Sequence, residues 1–240
     1  MHVERTCASG TLRRVGALAA AVVLLAGCSG SDGDGADPPR DARATIASDL
    51  RGDFGEDAVS REQADCFADR LVDALGEEAA LGLNDSDRTI EEAPEEERTA
   101  VEEAFNDCIP GSVLAPILVE PFYTAFDAAE PPTEEVVGCV AEQLEGRTGS
   151  VLVDQTGASA DGSTSGSTLE VLDPCVPDEV LRTPFVAAFV DGGATPEQAG
   201  CAADAVVSRL SLAELVELAD AEDLTEQASE VVGGATADCL

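Results

Sequence analysis

The chain has no tryptophan and no lysine, and one histidine, one tyrosine and one methionine in 240 residues. Without lysine no Schiff base can form, and every basic group is an arginine. Aromatic residues make up 3% of the chain, so any core must be built from Ala, Val and Leu, with a few Phe. Basic charge is scarce: 13 Arg face 49 acids, a formal charge of −36. Nucleic acid and bare anionic lipid would be repelled by such a surface. No uncharged stretch reaches the roughly 20 apolar residues that a membrane-spanning helix needs.

What is present starts at the N-terminus. Arg5, Arg13 and Arg14 precede an apolar run from Val15 to Leu25, and the small residues Ala26 and Gly27 lead into Cys28. A basic region, a short apolar region and small residues before a cut make residues 1–27 a secretory signal peptide. The Leu25-Ala26-Gly27-Cys28 run resembles the lipobox of bacterial lipoproteins. That resemblance covers residues 1–28 and implies cleavage before Cys28, a thioether-linked diacylglycerol on its sulfur and acylation of its new amino group. Two or three acyl chains anchor stably where one is marginal, which places the mature chain on the extracytoplasmic face of the cell membrane. Arg13-Arg14 lack the polar residue before and the bulky apolar residues after that mark a twin-arginine export signal. Abundant Ala, Gly, Asp, Val and Arg without lysine fit a GC-rich genome, as in actinobacteria.

Cleavage changes the inventory. His2 and Cys7 leave with the signal, as do Glu4 and three arginines, so 48 acids face 10 Arg and the formal charge becomes −38. Serine–histidine and cysteine–histidine nucleophile pairs and histidine metal sites are then excluded. The acids are spread over the whole chain, which fits a solvated surface better than a site; attraction of divalent cations or a basic partner is the functional alternative. Asp32-Gly-Asp34-Gly and Asn84-Asp85-Ser86-Asp87 begin like calcium loops, but neither continues with the ligand spacing and terminal Glu that such a loop requires. We therefore expect no metal and no cofactor. Ser112 and Ser150 follow glycines without the flanks of a nucleophile elbow, and no catalytic residue is assigned.

Six cysteines remain once Cys28 is lipidated: Cys66, Cys108, Cys139, Cys175, Cys201 and Cys239. An even number in an oxidising compartment reads as a disulfide framework, with fifteen connectivities open. The chain repeats itself around them. An apolar pair at i and i+4 recurs 12 or 13 residues ahead of the first cysteine of each unit: Leu50 and Phe54, Phe122 and Phe126, Phe185 and Phe189. Helix starts follow at Ser60, Thr133 and Thr195, the first and third with the capping-box pattern. Beyond that cysteine, apolar residues return at spacing four, as Phe67 and Leu71, Val140 and Leu144, Ala202 and Val206. Each unit closes on a cysteine followed by an aliphatic residue. The repeat favours pairing within units, as 66 with 108, 139 with 175 and 201 with 239; closing a loop of about 40 residues contributes about 4 kcal/mol in the chain-entropy model. The lack of Cys-x-x-Cys or Cys-plus-His spacing argues against zinc.

The expected fold is all-α: three tandem disulfide-stapled helical repeats, at 45–110, 111–177 and 178–240, behind a disordered lipidated tether at 28–44. The middle unit is irregular. Its Gly/Ser/Thr stretch 157–168 reads as a flexible loop, Pro174 breaks a helix ahead of Cys175, and Val151-Leu152-Val153 could form a short strand. The two-cysteine helical unit is also similar to repeats in secreted actinobacterial proteins. These features point to a non-catalytic binding or scaffold module whose grooves between repeats receive an envelope protein or a small ligand. The alternatives are a carboxylate-based cell-wall hydrolase and an acidic cation-binding surface protein.

Overall fold

The computed structural model describes residues 41–84, 90, 93–160, 164–220 and 226–239. Among these are twelve helices and no strand. They fall into three groups of four. Unit 1 comprises α1 (Ala42–Phe54), α2 (Arg61–Leu75), α3 (Glu77–Asn84) and α4 (Glu95–Cys108). Unit 2 comprises α5 (Gly111–Ala125), α6 (Glu134–Gln143), α7 (Thr148–Ala160) and α8 (Gly166–Leu172). Unit 3 comprises α9 (Asp178–Asp191), α10 (Pro196–Val207), α11 (Leu212–Asp220) and α12 (Glu226–Cys239).

The second helix of each unit starts where its capping residue predicts. Ser60 accepts from Gln63 N at 3.2 Å while the Gln63 side chain accepts from Ser60 N at 2.8 Å. Thr195 and Gln198 form the same reciprocal pair ahead of α10, with Pro196 at its first turn. Thr133 caps α6 by accepting from Val136 N. Asp41 caps α1 through Arg43 N and Ala44 N, so residues 42–44, expected in the disordered tether, belong to the first helix of unit 1.

Packing repeats with the sequence. In every unit the first helix lies along the second, and in units 1 and 3 the second also packs against the fourth. A disulfide joins the second helix to the end of the unit: Cys66 to Cys108, Cys139 to Cys175 and Cys201 to Cys239, with Cα separations of 5.7, 5.6 and 5.7 Å. These lie inside the ordinary range for a bridge. Aromatic rings gather beside the first of them, Phe67 and Phe54 standing 4.6 and 6.0 Å from Phe105. In unit 2 Phe122 and Phe126 stack at 4.5 Å and are buried. Leu114, Val119, Val140, Leu144, Val151 and Leu172 carry the core through the middle of the chain. No single described helix is long and apolar enough to cross a membrane; α4 and α5 reach that length and composition only together, and they meet at 105°.

Two expectations for unit 2 are corrected. Val151–Val153 is not a strand but part of α7, all three side chains buried. The stretch 157–168 is not one flexible loop: α7 continues through Ala160 and α8 begins at Gly166. A polar knot explains the order. Gln155 Oε1 accepts from Ser165 N at 3.0 Å and from Thr168 Oγ1 at 2.9 Å, and Ser165 Oγ accepts from Thr168 N at 3.2 Å as the cap of α8. All three residues are buried, and buried polar groups that answer one another fix a single arrangement. Replacing Gln155 with Leu strands two buried donors and should cost about 2 kcal/mol. Urea denaturation at unchanged m-value reads this; an unaltered midpoint would contradict the knot.

Candidate functional site

The seams between units are built by the third helices. In unit 1, α3 folds back over its own α1 and α2. In units 2 and 3 the third helix instead docks on the fourth helix of the preceding unit, α7 on α4 and α11 on α8. Each docked helix starts with backbone N–H groups that have no partner within the helix, and the preceding unit supplies an acceptor. Asn106 Oδ1 accepts from Gly149 N at 2.8 Å, and Asp173 Oδ1 accepts from Leu212 N at 3.0 Å. Both acceptors stand two residues before the closing cysteine of their unit. The same position in unit 3 is Ala237, which has no side-chain acceptor to offer. Backbone contact is close at the first seam, where a Cβ on Gly149 would overlap the main chain of Glu102.

An open groove lies inside unit 1, between the end of α2 and the start of α4. Its volume is about 590 Å³, within the range of small-ligand sites. Ala74, Leu75 and Ala100 form an apolar floor with Thr99, and Glu95, Glu96 and Glu103 stand around it. The floor is partly to fully buried at Leu75 and Ala100, and the three carboxylates are exposed. Arg70 is committed elsewhere, to Asp107 at 3.0 Å. The groove therefore offers apolar surface beneath three negative charges, an arrangement that can hold a cation carried on an apolar stem and has no nucleophile–base pair in its lining. Among the described residues no cluster of His, Cys, Asp and Glu is placed to hold a metal ion.

One other acid stands out. Burial, and then the neighbouring Asp49 charge, push the Asp53 carboxyl from 3.8 to about 6. It occupies the last turn of α1, where the helix dipole adds to the cost of a negative charge. Asp49 and Asp53 are absent from the groove lining.

Of the residues singled out in the sequence, the six cysteines come together in the three pairs above. Cys28, the signal peptide and residues 29–40 lie outside the described residues. Sequence reasoning did not find Asn106, Asp173 or the groove. Their signal is present nonetheless, as recurrence at fixed distances from the cysteines. No family model, curated protein or solved structure matches the chain.

Two outcomes follow from this geometry. Removing the first seam's acceptor, Asn106→Ala, should cost about 1 kcal/mol, as for other helix N-caps, and should raise hydrogen exchange at Gly149 first; unchanged exchange there would contradict its role. For Asp53 the folded state holds its proton more tightly than the unfolded chain, so stability falls as pH rises from about 4 to about 6. Asp53→Asn should therefore melt higher than the parent at pH 7, and that advantage should vanish below pH 4. An advantage that persists in acid would assign it to packing instead.

Proposed function

We propose that this chain is a membrane-anchored extracytoplasmic lipoprotein, tethered through Cys28, that serves as a non-catalytic binding or scaffold module for an envelope protein or a small ligand. The observation that carries the reading is the serial architecture: three disulfide-stapled helical units, each later one docked on its predecessor through its third helix. Repeat arrays of this kind present an extended surface on a rigid frame. The lipobox and the polar segment after it support a tether that holds this frame away from the bilayer. An open groove ringed by carboxylates supports recognition of a partner by charge.

A carboxylate-based hydrolase would need two acids facing one cleft with their titrations pushed apart. Asp53 has a raised titration, but it and Asp49 lie on one helix, and the groove's own acids are exposed. The binding reading accounts for these positions more simply.

The test is crosslinking in cells of the tagged full chain, followed by mass-spectrometric identification of what is captured, with Cys28→Ala as the untethered control. The wild-type N-terminus should be a diacylglyceryl cysteine at position 28, and a reproducible envelope partner should be captured by it and lost from the control. An N-terminus elsewhere would overturn the anchor. Empty capture by folded, lipidated protein would overturn the protein-binding role.

A further inference from the structure

We propose that the groove of unit 1 receives an arginine side chain presented by a basic partner, in the place that the other two units fill with an arginine of their own. This inference rests on the binding-module reading and names the chemistry of what is bound.

The argument begins with register. Counting from the first cysteine of each unit, the eighth residue is Ala74 in unit 1, Arg147 in unit 2 and Arg209 in unit 3. Counting back from the closing cysteine, the fifth residue is Glu103, Glu170 and Gly234. Ala74 lies in the last turn of α2, whereas Arg147 and Arg209 lie in the turns just after α6 and α10; each of these two arginines nevertheless reaches the fourth helix of its unit at the second of these positions. In unit 2 Arg147 Nη2 donates to Glu170 Oε2 at 3.1 Å. In unit 3 Arg209 lies against α12, so that a Cβ added to Gly234 would stand 3.2 Å from its Nη1. In unit 1 the acceptor is kept, as Glu103, and the arginine is replaced by Ala74. The groove opens there, lined by Ala74 and Glu103 themselves.

Unit 1 has an arginine near this helix pair, one turn closer to the disulfide: Arg70, paired with Asp107 at 3.0 Å. Its α2–α4 contact is thus already bridged, and neither Arg70 nor Arg98 lines the groove. Two further carboxylates, Glu95 and Glu96, flank Glu103. A guanidinium matches a carboxylate by paired donors, and its three-carbon stem covers apolar surface such as Leu75 and Ala100. A hard divalent ion would find no apolar use for the floor, and a carboxylate ligand would be repelled. The internal pair is exposed, with side-chain exposures of 44% and 72%, so a single arginine should bind weakly, with a Kd on the order of 1 mM at low salt. In a partner it would act as one anchor of a larger interface.

The experiment titrates acetyl-Gly-Arg-Gly-amide into the complete mature chain with its disulfides intact, followed by NMR of the Ala74 and Ala100 methyl groups and the Thr99 amide. The same peptide with citrulline, isosteric and uncharged, is the control. Saturable shifts with the arginine peptide, at least about fivefold weaker with citrulline and weakened by salt, are expected. Glu103→Gln should weaken binding several-fold. Ala74→Arg should abolish it by filling the groove from within, at an exposed helical position where Arg is tolerated. Arg147→Ala should create a second site, read at Glu170. Equal binding of citrulline, or undiminished binding to folded Ala74→Arg, would overturn the proposal. A partner captured in cells and retained by Ala74→Arg would overturn the groove and leave the binding-module reading intact; loss of that partner on Ala74→Arg is the result the proposal expects.

Discussion

With so few aromatic side chains to bury, a unit of roughly 65 residues has a core too small to hold four short helices by burial alone, and the bridge between its second helix and its closing cysteine supplies the missing constraint. Each bridge spans 36 to 42 residues, a loop long enough for the unfolded chain to lose much entropy on closure. The benefit is local. In units 1 and 3 it sets the second and fourth helices side by side; in each unit the first helix packs on the second, and α7 and α11 pack on the fourth helices of units 1 and 2. Unit 2 illustrates the division of labour. Its α6 and α8 touch little, so Cys139–Cys175 and the Gln155 knot carry a load that helix packing carries in units 1 and 3.

The third helices turn three stapled units into one array. α3 closes over its own unit, whereas α7 and α11 reach across to the preceding one, and a single polar side chain at a repeated position receives each. Units 1 and 3 therefore differ in how they couple. Unit 1 keeps its third helix on its own α1 and α2, and unit 3 has Ala237 where units 1 and 2 have Asn106 and Asp173. Small differences at repeated positions thus give each unit its own surface: unit 1 has Ala74, beside a groove, where units 2 and 3 have Arg147 and Arg209. The strongly negative chain around it would draw a basic partner from a distance and weaken that attraction as salt rises.

Much of this is legible in the sequence, because the signals are local. Ser60, Thr133 and Thr195 announce helix starts through a side chain that meets a backbone N–H three residues on, and cysteine spacing announces the units. What was missed depends on groups distant in sequence. Glycine, serine and threonine at 157–168 read as loop because no local pattern shows that Gln155 will answer Ser165 and Thr168 from the other side of the turn. Val151–Val153 has the composition of a strand, and its helical state is set by burial against α4 and its neighbours. Asn106 gives no hint of its role until Gly149 is found 43 residues later at its Oδ1. The groove was invisible for a different reason: it lies where unit 1 has Ala74 and the other units have arginine, a difference that shows only when the units are aligned.

The central claim is that constraint is applied within units and continuity between them is non-covalent. Non-reducing peptide mapping tests it directly, using cleavage at arginine and at aspartate so that Asp127 separates Cys108 from Cys139. The account predicts three linked peptide pairs, 66 with 108, 139 with 175 and 201 with 239. A bridge joining cysteines of different units would contradict it.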